Sequence, residues 1–197
     1  MRAAGYHGPM PLEIGRVLID RERIRARVAE MGRALSADLE RELGKEGQGA
    51  LDHADRIVML PVLTGAVVFV ADLIREMPMR LSMRVVSVSS YPGASTTSKG
   101  AMLRGALPTD LRGRHVVVVD DILDTGQTLG LLRDMILEQK PASLRIAVLL
   151  TKLVPRKIEV HADYSGFDIP DEFVVGYGLD YDGFYRNLPE IVVLREA

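Results

Sequence analysis

Four consecutive valines, Val116, Val117, Val118 and Val119, run straight into two aspartates, Asp120 and Asp121. A strand with one wet face alternates apolar and polar residues. An unbroken apolar run instead means that both faces are covered. Residues 115–121 therefore read as a fully buried strand of a mainly parallel sheet. A carboxylate pair at the end of such a strand is costly to bury unless a cation or hydroxyl groups compensate it.

The chain continues Ile122, Leu123, Asp124, Thr125, Gly126, Gln127, Thr128, Leu129, a short polar loop that leads into a helix. Backbone N–H groups at a helix N-terminus are unpaired and carry partial positive charge. Thr hydroxyls and Gly126 let a phosphate approach that backbone closely. Adjacent carboxylates can accept hydrogen bonds from two neighbouring sugar hydroxyls, and they favour Mg²⁺ nearby. Asp124 is placed to act as a general acid or base. Plain helix capping explains less, because a cap does not need three aspartates within five positions of a core strand.

The remainder alternates between strand and helix. Residues 20–43 carry Ile24, Val28, Met31, Leu35, Leu39 and Leu43 at helical spacing, with Gly44 as the expected stop. Strands are expected at 57–63, 81–89 and 143–151, and helices at 66–75 and 128–139. That alternation predicts an α/β domain, in which ligands bind at the carboxyl ends of the strands. Three places follow: Leu63-Thr64-Gly65, Asp120 onward, and Lys152. Residues 91–100 are small and polar and read as a loop. Beyond Lys152, Pro and Gly break the chain, while Phe167, Phe173, Tyr177, Tyr181, Phe184 and Tyr185 gather there. This texture suits a lid or specificity lobe, or a satellite apolar cluster under loops.

Composition narrows the class of partner. The 197 residues carry 25 basic and 27 acidic side chains, a net charge of −2. A polyanion such as nucleic acid calls for a basic surplus, so none is expected as a partner. The uncharged run 57–71 is too short to span a membrane and contains Pro61. Cysteine is absent, which suits a reducing, cytoplasmic compartment. P-loop, dinucleotide-binding and nucleophile-elbow motifs are all missing.

The stretch 116–129 closely resembles the phosphoribosyl-diphosphate (PRPP) motif of the type I phosphoribosyltransferases. Leu149-Leu150-Thr151-Lys152 is similar to the strand that ends in a purine-reading lysine. Residues 167–181, with Phe184-Tyr185-Arg186, resemble the hypoxanthine (guanine) branch. The resemblance implies a single domain over 1–197, with a core of about 20–152 and a base-binding hood mainly at 153–197. It implies a mainly parallel sheet flanked by helices, with a small hood lobe built from the C-terminal and N-terminal segments. It implies transfer of phosphoribose from PRPP to hypoxanthine or guanine with Mg²⁺, in a homodimer or homotetramer.

Roles follow from the same resemblance. Asp120 and Asp121 hold the ribose hydroxyls and stand near the metal. Asp124 manages the proton at the purine N7. Thr125, Gly126, Gln127 and Thr128, together with Asp124, wrap the 5′-phosphate. Lys152 reads the base O6, Phe173 stacks on the base and Val174 reads its edge through the backbone. Asp180 positions Mg²⁺, and Arg186 binds pyrophosphate with Leu63, Thr64 and Gly65. Ser90 and Tyr91 open the active-site loop. Thr64 stands where the family usually carries lysine. A PRPP-sensing regulator of the same fold, without turnover, is the rival reading. It needs no complete base site.

Overall fold

The computed structural model describes residues 12–45, 56–89 and 102–196. The expected loop at 91–100, with Ser90 and Tyr91, lies outside them. The elements in chain order are β1 (Leu12–Ile19), α1 (Arg21–Lys45), β2 (Ile57–Leu63), α2 (Val67–Arg75), β3 (Ser82–Met83) and β4 (Val86–Ser89). They continue with β5 (Met102–Arg104), β6 (His115–Leu123), α3 (Gln127–Glu138), β7 (Ser143–Lys152), β8 (Tyr164–Ile169), β9 (Val174–Val175) and β10 (Ile191–Glu196).

The central sheet runs β5-β4-β2-β6-β7-β8, and β3 adds to β2. All pairings except β4–β5 are parallel. Both faces of β6 are covered. Val117 and Val119 face one apolar layer with α1 and α2, where Ile24, Leu35, Phe69 and Leu73 lie. Val116 and Val118 face the other, with Leu129, Leu132 and Ile136 of α3. The four-valine run is thus two alternating strand faces, each buried under helices.

Asp20 starts α1 by accepting the backbone N–H of Arg23 at 2.8 Å. The expected apolar face of α1 is buried throughout. The expected stop at Gly44 does not occur, since the helix runs on to Lys45. One exposed glycine costs a helix only about 1 kcal/mol, too little to end it against a packed face. The strand expected at 81–89 is two strands. The break falls at Arg84 and Val85, where the Arg84 N–H donates to Met59 O at 3.0 Å.

The division expected near residue 152 also moves. β8 pairs with β7 and belongs to the core sheet. The hood is a separate antiparallel sheet, β1-β10-β9, so the N-terminal strand helps to build it. The Tyr177 hydroxyl donates to Asp72 Oδ2 at 2.5 Å and ties the hood to α2. Burial first, and then the Asp72 carboxylate, push the Tyr177 hydroxyl up, so it stays a donor. His115 is buried beside Ser143, its Nδ1 2.9 Å from the hydroxyl. Among the described residues, no helix is long and apolar enough to cross a membrane.

Phe69 is fully buried between α1, α2 and the sheet. Phe69→Ala is expected to lower stability by about 3–5 kcal/mol, read as a drop in the urea midpoint.

Candidate active site

The chain leaves β2 towards β4 on one side, and leaves β6 towards β7 on the other. The crevice between the carboxyl ends of β2 and β6 is therefore the topological switch point, where α/β sheets bind ligands. β2 ends in Leu63, and the Leu63–Thr64 peptide bond is cis. Thr64 is exposed, and its carbonyl accepts the Val67 N–H at 3.2 Å. Gly65 lies against Asp121. A Cβ built on Gly65 would fall 1.8 Å from Asp121 Oδ2. Only glycine leaves room for that carboxylate, which joins the first predicted segment to the second.

Asp120 and Asp121 lie within β6, as expected for a strand over 115–121, and β6 runs on to Leu123. The backbone N–H of Asp121 donates to Asp120 Oδ1 at 3.0 Å. Burial first, and then the neighbouring Asp121 charge, push the Asp120 carboxyl well above the usual carboxylate range. Burial raises Asp121 as well, opposed by nearby hydrogen bonds and by the Arg186 guanidinium. Two adjacent carboxylates, Asp120 buried and Asp121 half-buried, welcome a cation or a pair of hydroxyl donors. Among the described residues, no three His, Cys, Asp or Glu side chains form one metal cage.

After Leu123 the chain turns through Asp124 and Thr125 into Gly126, which has φ 82° and precedes α3. No side chain caps that helix. Its first N–H groups therefore have no side-chain cap, and unpaired N–H groups at a helix start carry partial positive charge. Thr125, Gln127 and Thr128 are partly exposed around this turn. Behind it, the N–H groups of Lys157 and Ile158 donate to Thr125 O at 2.9 and 3.2 Å.

Lys152 ends β7, next to the phosphate turn, with Leu123 paired to Thr151 in the sheet. Its Nζ donates to Asp171 Oδ1 at 3.1 Å. Phe173, 51% exposed, presents its ring edge-to-face with Tyr181, centroids 5.6 Å apart. Val174 is buried in β9, paired with Val193. Arg16 holds Glu172 through two bonds of 2.9 and 2.8 Å, which steadies the turn before Phe173 from β1. Arg186 Nη2 lies 2.7 Å from Asp180 Oδ1, and Nη1 donates to Gly178 O at 2.6 Å. The Gly183 N–H donates to the other Asp180 oxygen at 2.7 Å.

Three residues escaped the sequence reading. Asp171 was visible only as an acid beside a proline. Arg156, whose Nη1 donates to Leu123 O at 3.3 Å and to Asp124 O, had no motif to mark it. Asp72 carried no signal beyond its place on an amphipathic helix. The buried pair makes one energetic expectation. A raised folded pKa means that stability is lost as pH rises through it. Asp120→Asn keeps the Oδ1 acceptor and removes one charge. In metal-free buffer at pH 7 it is expected to gain about 1 kcal/mol in urea unfolding. The gain should shrink as the pH falls towards the ordinary carboxylate range.

Residues 34–182 match the family model described as "Phosphoribosyl transferase domain". A hypoxanthine-guanine phosphoribosyltransferase of Streptococcus pneumoniae is 40% identical over 184 residues, 93% of this chain and 95% of that one. One from Mycobacterium avium is 42% identical over 185 residues, covering 93% and 87%. A crystal structure of the Bacillus anthracis hypoxanthine-guanine phosphoribosyltransferase superposes with a TM-score of 0.79 at 36% identity, covering 94% and 100%. With the carboxylate pair and the Asp124-to-Thr128 turn at the end of β6 and Lys152 at the end of the adjacent β7, these matches show that the chain belongs to the hypoxanthine-guanine phosphoribosyltransferase family.

Proposed function

We propose that the chain transfers 5-phosphoribose from PRPP to hypoxanthine, and also to guanine, giving IMP or GMP and pyrophosphate. The carrying observation is the placement of Asp120–Asp121, the uncapped start of α3, and Lys152 at the ends of adjacent strands. The bond from the anomeric carbon to pyrophosphate breaks, and a bond from that carbon to the purine nitrogen forms. Positive charge develops on the ribose between the two events, so fixed negative groups lower the barrier.

The residues divide this work. Asp120 and Asp121 accept the ribose 2′- and 3′-hydroxyls. Asp124, Thr125, Gly126, Gln127 and Thr128 take the 5′-phosphate with backbone N–H and hydroxyl donors. Asp124 holds the proton at the purine N7 as the new bond forms. Lys152 donates to O6, so it favours 6-oxopurines over adenine, whose amino group cannot accept that bond. Phe173 stacks on the base, and the Val174 backbone reads its edge. Arg186 binds the pyrophosphate with the backbone of Leu63, Thr64 and Gly65.

The donor set fits Mg²⁺. It is all oxygen, and Mg²⁺ keeps several waters and needs only one or two carboxylates beside substrate oxygens. Asp180 would hold it, with Asp120 and Asp121 close by. When bound, the ion stabilises the charge of the departing pyrophosphate. The reaction suits the cytoplasm, since the chain has no cysteine. A homodimer or homotetramer through the Leu63-to-Arg75 surface, where Val67 is exposed at the start of α2, goes with this reading. A regulator without turnover would not need Lys152, Phe173 and Arg186 together.

Purified enzyme with PRPP and Mg²⁺ is expected to convert hypoxanthine and guanine, and to leave adenine and uracil untouched. Silence with every base would move the reading to PRPP sensing. Asp124→Asn is expected to lower kcat by about 100-fold while PRPP affinity stays within about threefold. Unchanged turnover would remove Asp124 from the mechanism. Lys152→Ala is expected to raise KM for hypoxanthine about tenfold, from the loss of one charged hydrogen bond.

A further inference from the structure

The segment directly after β7 holds the phosphate turn from behind. Arg156 Nη1 donates to the carbonyls of Leu123, at 3.3 Å, and of Asp124. The N–H groups of Lys157 and Ile158 both donate to the carbonyl of Thr125, at 2.9 and 3.2 Å. Three successive carbonyls of the turn are therefore tied to one short segment. In a trans peptide the C=O and the following N–H point in opposite directions. Pulling these three carbonyls back turns the N–H groups of Asp124, Thr125 and Gly126 to the other side of the turn. Successive N–H groups facing one way form a concave nest for an anion. The backstop approaches closely: a Cβ on Gly126 would fall 2.2 Å from Ile158 O.

We propose that Arg156 is a positioning residue for the 5′-phosphate. It is half-buried behind the turn and places its charge opposite the side the anion occupies. Its side chain reaches the Leu123 carbonyl at the end of β6 and the Asp124 carbonyl beyond it, whereas the Thr125 carbonyl is held by backbone. Removing the guanidinium frees the peptide 124–125, which lies beyond β6, to rotate and leaves the base-reading residues in place. Lys157 and Ile158 keep their backbone bonds, so the turn is loosened rather than lost.

The inference rests on the reading that this turn takes a nucleotide phosphate, and the two can fail separately. Calorimetry with GMP is set beside KM for hypoxanthine at saturating PRPP, for wild type, Arg156→Ala and Arg156→Lys. Arg156→Ala is expected to weaken GMP about tenfold or more, from the loss of charged hydrogen bonds, with KM for hypoxanthine within about threefold. Guanidinium added to Arg156→Ala is expected to restore part of the GMP affinity, and Arg156→Lys to fall between the two. Unchanged GMP affinity, or equal loss for nucleotide and base, overturns the positioning role. If Arg156→Ala does not fold, the same comparison in Arg156→Lys decides. Wild-type protein that fails to bind GMP overturns the function reading itself.

Discussion

The structure turns on a conflict at the end of β6. A strand covered on both faces delivers two carboxylates into a cleft that disfavours their charge. Nearly every neighbouring feature answers that conflict. Gly65 gives up its side chain so that Asp121 fits. Arg186 lends positive charge from the hood. The cleft opens between β2 and β6, where sugar hydroxyls and a metal ion can reach the oxygens. The same burial that makes the pair costly gives it strength, because hydrogen bonds and ion contacts are worth more out of water.

Around that pair the site is assembled from three strand ends with different duties. β2 presents backbone, β6 presents acids and an uncapped helix start, and β7 presents a lysine; in the proposed reaction these would take pyrophosphate, the phosphoribose and the base. Each contributor is anchored in a parallel sheet with helices on both faces, so the spacing between them is set by the fold. The hood adds the exposed ring of Phe173 and a second cation, Arg186. It is held to the core by the Tyr177–Asp72 bond, and its turn is steadied from β1 by Arg16.

Much of this was legible in the residues. The valines, the aspartates and the Thr-Gly turn each have a chemical meaning at that spacing, and the structure gathers them. Strand β2 and the apolar face of α1 followed from periodicity. What was not legible depends on tertiary contact. Arg84 and Val85 look like any strand residues, and only the pairing with β2 shows that the strand breaks there. β8 has mixed polarity because it is an edge strand, so the Pro and Gly nearby drew it into the hood. The N-terminal share of the hood followed from the resemblance, but β1 itself was not legible as a strand because its partner, β10, lies at the far end of the chain. Asp171 and Arg156 act through partners distant in sequence, and no local pattern encodes that. The role of Thr64 follows a different rule: where backbone does the binding, a side chain can change and the segment keeps its shape.

The ion pairs Lys152–Asp171 and Arg186–Asp180 have a kinetic meaning. Both cations that would grip the reactants already have an internal acid within reach. In the proposed reaction a base or a pyrophosphate would therefore displace a carboxylate that is tethered and never diffuses away. The net affinity would be the difference between two similar attractions, smaller than either alone. The same tethered acids would recapture their cations as a product starts to move. Such a site would hold a highly charged leaving group through the reaction and still let it go, with the exchange partner built into the chain.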